Sequence, residues 1–138
     1  MAKGKVGLGR RGEQLVARAL THRGFALVKH NWHCGCGEVD LILRRNAEWY
    51  FVEVRTRRGA IRAVPEQSLN RTKIHRMERV ARTYLGMHVS ALDPIWHLSF
   101  ASVTMDRTGK LERIAFYSDL FGPPLVLFNT HQGTPSGD

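Results

Sequence analysis

Gly37-Glu38-Val39-Asp40-Leu41-Ile42-Leu43, a short turn at Arg45-Asn46-Ala47-Glu48, and Trp49-Tyr50-Phe51-Val52-Glu53-Val54-Arg55 decide how this chain folds. Both flanks alternate as strands do, with successive side chains on opposite faces. In the first, Val39, Leu41 and Leu43 share one face and Glu38, Asp40 and Ile42 the other. In the second, Tyr50, Val52 and Val54 oppose Trp49, Phe51, Glu53 and Arg55. Folding the hairpin about the Asn46–Ala47 bond sets Asp40 opposite Glu53 and Glu38 opposite Arg55. Directly opposed side chains have Cβ atoms roughly 4.5–5.5 Å apart, and like charges there repel. The pattern therefore brings two carboxylates together on an otherwise apolar hairpin. A bound cation with hard oxygen ligands resolves the conflict. So does a solvated face on which Arg55 or another base neutralises the pair.

On the N-terminal side, residues 1–9 are Gly- and Lys-rich and read as frayed, and 12–22 read as a helix. Leu15, Val16, Ala19 and Leu20 form its apolar stripe. Glu13 stands at the edge of that stripe in the first turn, where a carboxylate suits the positive end of the helix dipole. Gly24 is the stop signal. A strand is expected over 25–32 and its turn over 33–37. That turn holds Cys34-Gly35-Cys36, with His30 and His33 near it. Structural zinc sites take four ligands, and no second cysteine pair exists, so both cysteines are expected to be free thiols.

On the C-terminal side, 56–65 is basic, carries turn signals and reads as a loop. A long helix follows, from Pro65 or Asn70 to Gly86, burying Ile74, Met77, Ala81, Tyr84 and Leu85. Arg71, Lys73, Arg76, Arg79 and Arg82 give it its charge. With Arg57, Arg58 and Arg62 they form either a rim that contacts phosphates or a solvated helix face. A strand over 95–105, a turn at Asp106-Arg107-Thr108-Gly109 and a strand over 110–117 close the pattern. The order is α-β-β-β-α-β-β, an α/β fold with a mixed sheet flanked by helices. Residues 1–121 form one domain, and 122–138, carrying Pro, Gly and Ser, read as a disordered tail.

The chain has 138 residues, enough for one domain with its own core. Lys and Arg number 21 against 12 Asp and Glu, a formal charge of +9. That excess favours a polyanionic partner, nucleic acid first and an anionic membrane surface second. No run is long enough for a transmembrane helix. The N-terminus lacks an apolar signal core, which with two cysteines and no disulfide framework points to the cytoplasm.

The ordered set of Gly12-Glu13, Gly37-Glu38-Val39-Asp40-Leu41-Ile42 and Phe51-Val52-Glu53-Val54-Arg55-Thr56-Arg57 resembles the restriction-endonuclease-like nucleases of the PD-(D/E)xK type. It is also similar to archaeal Holliday junction resolvases. The resemblance is closest to the YraN-type family of uncharacterised bacterial proteins, and spans roughly Gly9 to Leu85. It implies a restriction-endonuclease-like fold in which Asp40 and Glu53 ligate Mg²⁺ or Mn²⁺. Glu13 would add a third carboxylate, directly or through water, and the Val54 carbonyl a further ligand. Such a metal lowers the pKa of a bound water and stabilises charge on a phosphodiester under attack. The implied catalytic set is Glu13, Asp40, Glu53 and Arg55, acting on DNA, branched DNA included. Arg57, Arg58, Arg62, Arg71, Lys73 and Arg76 would hold the nucleic acid.

The chain departs from the pattern twice. Arg55 stands where these nucleases carry lysine, and arginine cannot be deprotonated in proteins. Ser99-Phe100-Ala101 stands where the family reads Arg-Phe-Asp. Three functions follow as alternatives: a metal-dependent DNA endonuclease, a nucleic-acid-binding protein that keeps the nuclease fold without cutting, and an interaction module that meets no nucleic acid.

Overall fold

The computed structural model describes residues 3–59 and 69–130. Arg62 and Pro65 therefore lie outside the described residues. The elements are α1 (Lys3–Thr21), β1 (Ala26–Cys34), β2 (Gly37–Arg45), β3 (Glu48–Arg58), α2 (Arg71–His88), β4 (Ile95–Met105), β5 (Leu111–Tyr117) and β6 (Leu125–Asn129). The strands form one sheet in sequence order, β1 to β6. β3 and β4 run parallel and every other neighbouring pair is antiparallel. The parallel pair follows from the connection, because β3 returns to the sheet through α2 and parallel neighbours need such a crossover.

One helix covers each face. Val16 and Leu20 of α1 pack on Leu41, Leu43, Tyr50, Val52, Val54, Ala101 and Val103. Val80, Ala81, Tyr84 and Leu85 of α2 pack on Val39, Ile42, Trp49 and Phe51. The alternation of the hairpin is thus divided between two helices, which is why both of its faces are apolar. Tyr84 is the centre of the second core, with its ring 5.2 Å from Trp32, 5.8 Å from Trp49 and 6.0 Å from Phe51.

The hairpin register is the expected one, running from Arg45↔Glu48 to Leu41↔Val52. Asn46 and Ala47 both take positive φ, 52° and 66°. That two-residue turn matches the twist of the strands it joins. Val39 departs from its expected face and packs with Ile42 beneath α2 rather than with Leu41. The ladder is interrupted there: the Val54 N–H, which a continued hairpin would give to a backbone carbonyl, goes to the Asp40 side chain instead.

Several boundaries also differ. α1 begins at Lys3, so residues 3–9 are helical rather than frayed, and Glu13 sits in the middle of the helix. The helix dipole, which acts at the first turn, therefore does not account for it. β1 extends to Cys34 and β3 to Arg58. Thr56, Arg57 and Arg58 are strand residues paired with Val103, Thr104 and Met105, not a loop. α2 starts after Asn70, whose Oδ1 accepts the Lys73 N–H at 2.8 Å. Residues 125–129, read as tail, form a sixth strand against β5, with Leu127 packed against the α1-side core. Pro123 and Pro124 start that strand abruptly and leave only five residues to show its pattern. Cys34 and Cys36 are joined in a disulfide, not free. Gly35 and Cys36 form the turn between β1 and β2, which brings the two Cα atoms to 5.3 Å, within bridging range.

Candidate functional site

Asp40 on β2, Glu53 on β3, Glu13 on α1 and Lys73 on α2 meet where the hairpin ladder is interrupted. Asp40 Oδ2 accepts the Val54 N–H at 2.8 Å. Burial first, and then the charge of Glu53, push the Asp40 carboxyl up to about 7. The Val54 hydrogen bond and Lys73 oppose that rise. Glu53 is almost fully buried, at 8% exposure. Its Oε2 lies 3.4 Å from Lys73 Nζ and 3.1 Å from Arg55 Nε. The buried Arg55 N–H is not aimed along that line and makes no hydrogen bond, so the contact is an ion pair only. Two cations thus serve Glu53, while Asp40 beside it is short of positive charge.

Glu13 reaches the site because of the residue before it. Gly12 is buried where α1 crosses β3, and a Cβ there would collide with the Oγ1 of Thr56 and come within 3.1 Å of its Cβ. The glycine lets the helix lie directly on the strand. Asn31, in the left-handed region at φ 51°, donates a side-chain hydrogen bond to Glu13. Burial raises the Glu13 pKa, against the effects of Asn31, Arg10 and His30. The charge of Glu38 adds to the rise, so Glu38 lies near Glu13. Sequence reasoning missed Asn31, although asparagine is among the residue types that most readily take positive φ.

Do these residues fit a divalent cation? Mg²⁺-like ions are bound through one or two carboxylates and keep several waters. Asp40 and Glu53 supply that donor set, and the charge they crowd together is what a cation relieves. Among the described residues no three His, Cys, Asp or Glu side chains converge closely enough to hold one ion. Ala101, where the resemblance puts an acid, is fully buried beside Val54 in the α1-side core.

The basic residues separate into groups. Lys73 belongs to the carboxylates. Arg76 lines an open recess of about 540 Å³ with His33, Gly37, Glu38 and Lys73, and Arg71 is exposed at the start of α2. Arg57 shares the β3 face of Glu53 and Arg55, and its buried Nε makes no hydrogen bond. Arg58 is committed elsewhere: its Nε and Nη2 donate to the Arg107 carbonyl at 3.2 and 3.0 Å, tying β3 to the β4–β5 turn. A second pocket of about 340 Å³, between α1 and β1, is lined by Arg10, Glu13, Leu27, His30, Asn31 and Leu41. Among the described residues no helix is long and apolar enough to cross a membrane.

Residues 12–115 match the family described as "Uncharacterised protein family UPF0102". The match begins at Gly12, contains every residue of the carboxylate site and stops within β5. A UPF0102 protein of Roseiflexus castenholzii is 32% identical over 98 residues, covering 71% of this chain and 79% of that protein. One from Herpetosiphon aurantiacus is 41% identical over 94 residues, covering 68% and 76%. One from Caldicellulosiruptor bescii is 27% identical over 114 residues, covering 83% and 96%.

Proposed function

We propose, for a chain that belongs to the uncharacterised protein family UPF0102, the YraN-type group its motifs resemble, that it binds nucleic acid and cleaves a phosphodiester bond with a divalent cation held by Asp40 and Glu53. One observation carries this reading: a buried acid, Glu53, and a half-buried one, Asp40, that is left short of positive charge, lie beside a recess lined by Lys73, Arg76 and Glu38 on a chain of net charge +9. A Mg²⁺ or Mn²⁺ ion bound there supplies Lewis-acid stabilisation and an activated water. The chain's own groups do the rest. Arg71 and Arg76 grip the phosphates on either side and give affinity without reading sequence. Glu13, fixed by Asn31, accepts a hydrogen bond from water at the site. Lys73 and Arg55 bring positive charge to the position a phosphate would take.

Arg55 supports a second reading, a nucleic-acid-binding protein of the same fold that does not cut, because a planar guanidinium replaces the compact lysine of a working site. The test is incubation of the purified protein with plasmid, single-stranded and four-way-junction DNA in Mg²⁺ or Mn²⁺. Cleavage is expected, and it should vanish in Asp40→Asn and Glu53→Gln. Cleavage that survives both substitutions overturns the assignment. Salt-dependent binding without any turnover selects the second reading.

A further inference from the structure

We infer that Lys73 is a place-holder for the cation: its ammonium neutralises Glu53 until a divalent ion arrives, and is then released to a phosphate of the bound nucleic acid. The inference rests on the reading above in taking Asp40 and Glu53 as the ligands and a phosphate as the partner, but it does not require cleavage.

Four observations support it. Lys73 Nζ is 3.4 Å from Glu53 Oε2, on a side chain only 24% exposed. The contact spans two elements, α2 and β3, so it reflects how the helix is seated and not a local pairing along one helix. The Asn70 cap fixes the Lys73 backbone through its N–H at 2.8 Å. The backbone from which the side chain extends is therefore fixed, and only the side-chain torsions need change to move the ammonium. Finally, Lys73 lines the open recess with His33, Glu38 and Arg76. Its head thus has two places to go, inward to Glu53 or outward into that recess.

Arg55 cannot make the same exchange. It touches the same oxygen, at 3.1 Å, but its Nε is buried on β3. Lysine is a compact charge on a flexible stem, whereas arginine presents a rigid planar fork. A cation at Glu53 repels both, since like charges at such distances interact strongly away from bulk water. Arg55 is the more exposed of the two side chains, but Lys73 is the one that lines the recess beside Arg76.

The test uses the full chain and two measurements. In the first, Mn²⁺ is titrated calorimetrically into the wild type, Lys73→Met and Lys73→Arg without DNA. Lys73→Met should bind Mn²⁺ roughly fivefold tighter or more, because a competing positive charge has gone. Lys73→Arg should stay close to wild type. In the second, affinity for a short DNA duplex is measured by fluorescence anisotropy with and without Ca²⁺ at constant ionic strength. Ca²⁺ should strengthen DNA binding more in the wild type than in Lys73→Met, whose side chain has no charge to hand over. Circular dichroism of each variant checks that α2 is intact, and Lys73→Gln repeats the neutral case with a polar end. Equal or weaker Mn²⁺ binding by both neutral variants overturns the inference, as does an equal Ca²⁺ effect on DNA binding in all variants. If the wild type behaves as expected in both measurements yet cuts no DNA, the place-holder stands and the nuclease reading alone falls. A wild type that cuts in an Asp40-dependent way while Lys73→Met binds Mn²⁺ unchanged has the opposite meaning.

Discussion

The Asp40 carboxylate takes the Val54 N–H at 2.8 Å, a donor that a continued β2–β3 ladder would have given to the carbonyl of Val39. That one exchange ends the regular hairpin, turns Val39 towards α2 and leaves Asp40 beside Glu53 at the interruption. The carboxylate site is thus a break in the sheet, not an addition to its surface.

Asp40 should make the metal-free protein less stable as pH rises. Its folded pKa is raised to about 7, from the 3.8 of a free aspartate, by burial and then by Glu53. Between those values the folded state holds a proton that the unfolded state has released. Stability is therefore greatest below about pH 4, falls as pH climbs to about 7 and is flat above, with a total loss of at most about 4 kcal/mol. Asp40→Asn should remove this component and stabilise the protein at pH 8. Urea denaturation of both proteins at pH 5 and pH 8 measures it. The same pH dependence in both would show that another group is responsible.

Gly12→Ala should destabilise the fold even though alanine is the better helix former. In a helix interior the exchange gains up to about 1 kcal/mol. Here the new Cβ meets the Thr56 side chain on β3, and overpacking of that kind costs about 1–3 kcal/mol, so the clash wins. Thr56→Ala in the same chain should recover part of the loss, because the Oγ1 and Cγ2 atoms are removed while the Thr56 Cβ, 3.1 Å from the added methyl, remains. A double-mutant cycle read by thermal or urea unfolding shows the coupling. Additive effects would place the cost somewhere other than this contact.

Much of this arrangement was legible in the sequence, for identifiable reasons. Alternation and a two-residue turn fixed the β2–β3 register, because a slip of one residue would have moved every apolar side chain to the wrong face. The 3.6-residue spacing located Leu20 and Tyr84 on the buried faces of their helices. What escaped was decided by contacts distant in sequence. Glu13 reads as a first-turn residue until α1 is seen to begin at Lys3. Lys73 reads as one more surface cation, because no periodicity reveals that the start of α2 lies over Glu53. The Cys34–Cys36 bridge follows from how β1 ends, two residues later than its apolar pattern suggests. The strand at 125–129 was hidden by its own brevity behind two prolines.

Ala47→Gly should stabilise the hairpin. Ala47 is exposed at φ 66°, a region that costs an L-residue with a Cβ about 1–2 kcal/mol. Glycine avoids that cost but gives up roughly 0.5–1 kcal/mol in unfolded-chain entropy, for a net gain of about 0.5–1 kcal/mol. Asn46, at φ 52°, should gain less from the same exchange, since asparagine tolerates this region. Urea midpoints of the two single variants test the order. A destabilised Ala47→Gly would mean that the turn is not the left-handed pair described.

Arg55→Lys discriminates between a working site and an adapted one. Arg55 Nε lies 3.1 Å from Glu53 without making a hydrogen bond, so the exchange removes an ion pair and breaks no hydrogen-bond network at that atom. The replacement keeps a cation beside the buried Glu53, which Lys73 also pairs, so unfolding should be nearly unchanged. The lysine keeps the charge but makes it compact and rotatable, able to follow a phosphate as negative charge develops. A single well-placed donor of this sort is worth roughly 10²–10³-fold in rate, and we expect single-turnover cleavage in Mn²⁺ to rise by at least about tenfold over the wild type. Unchanged binding with no gain in cleavage would mean that the site has more missing than one lysine. The reading to keep would then be the protein that holds nucleic acid without cutting it.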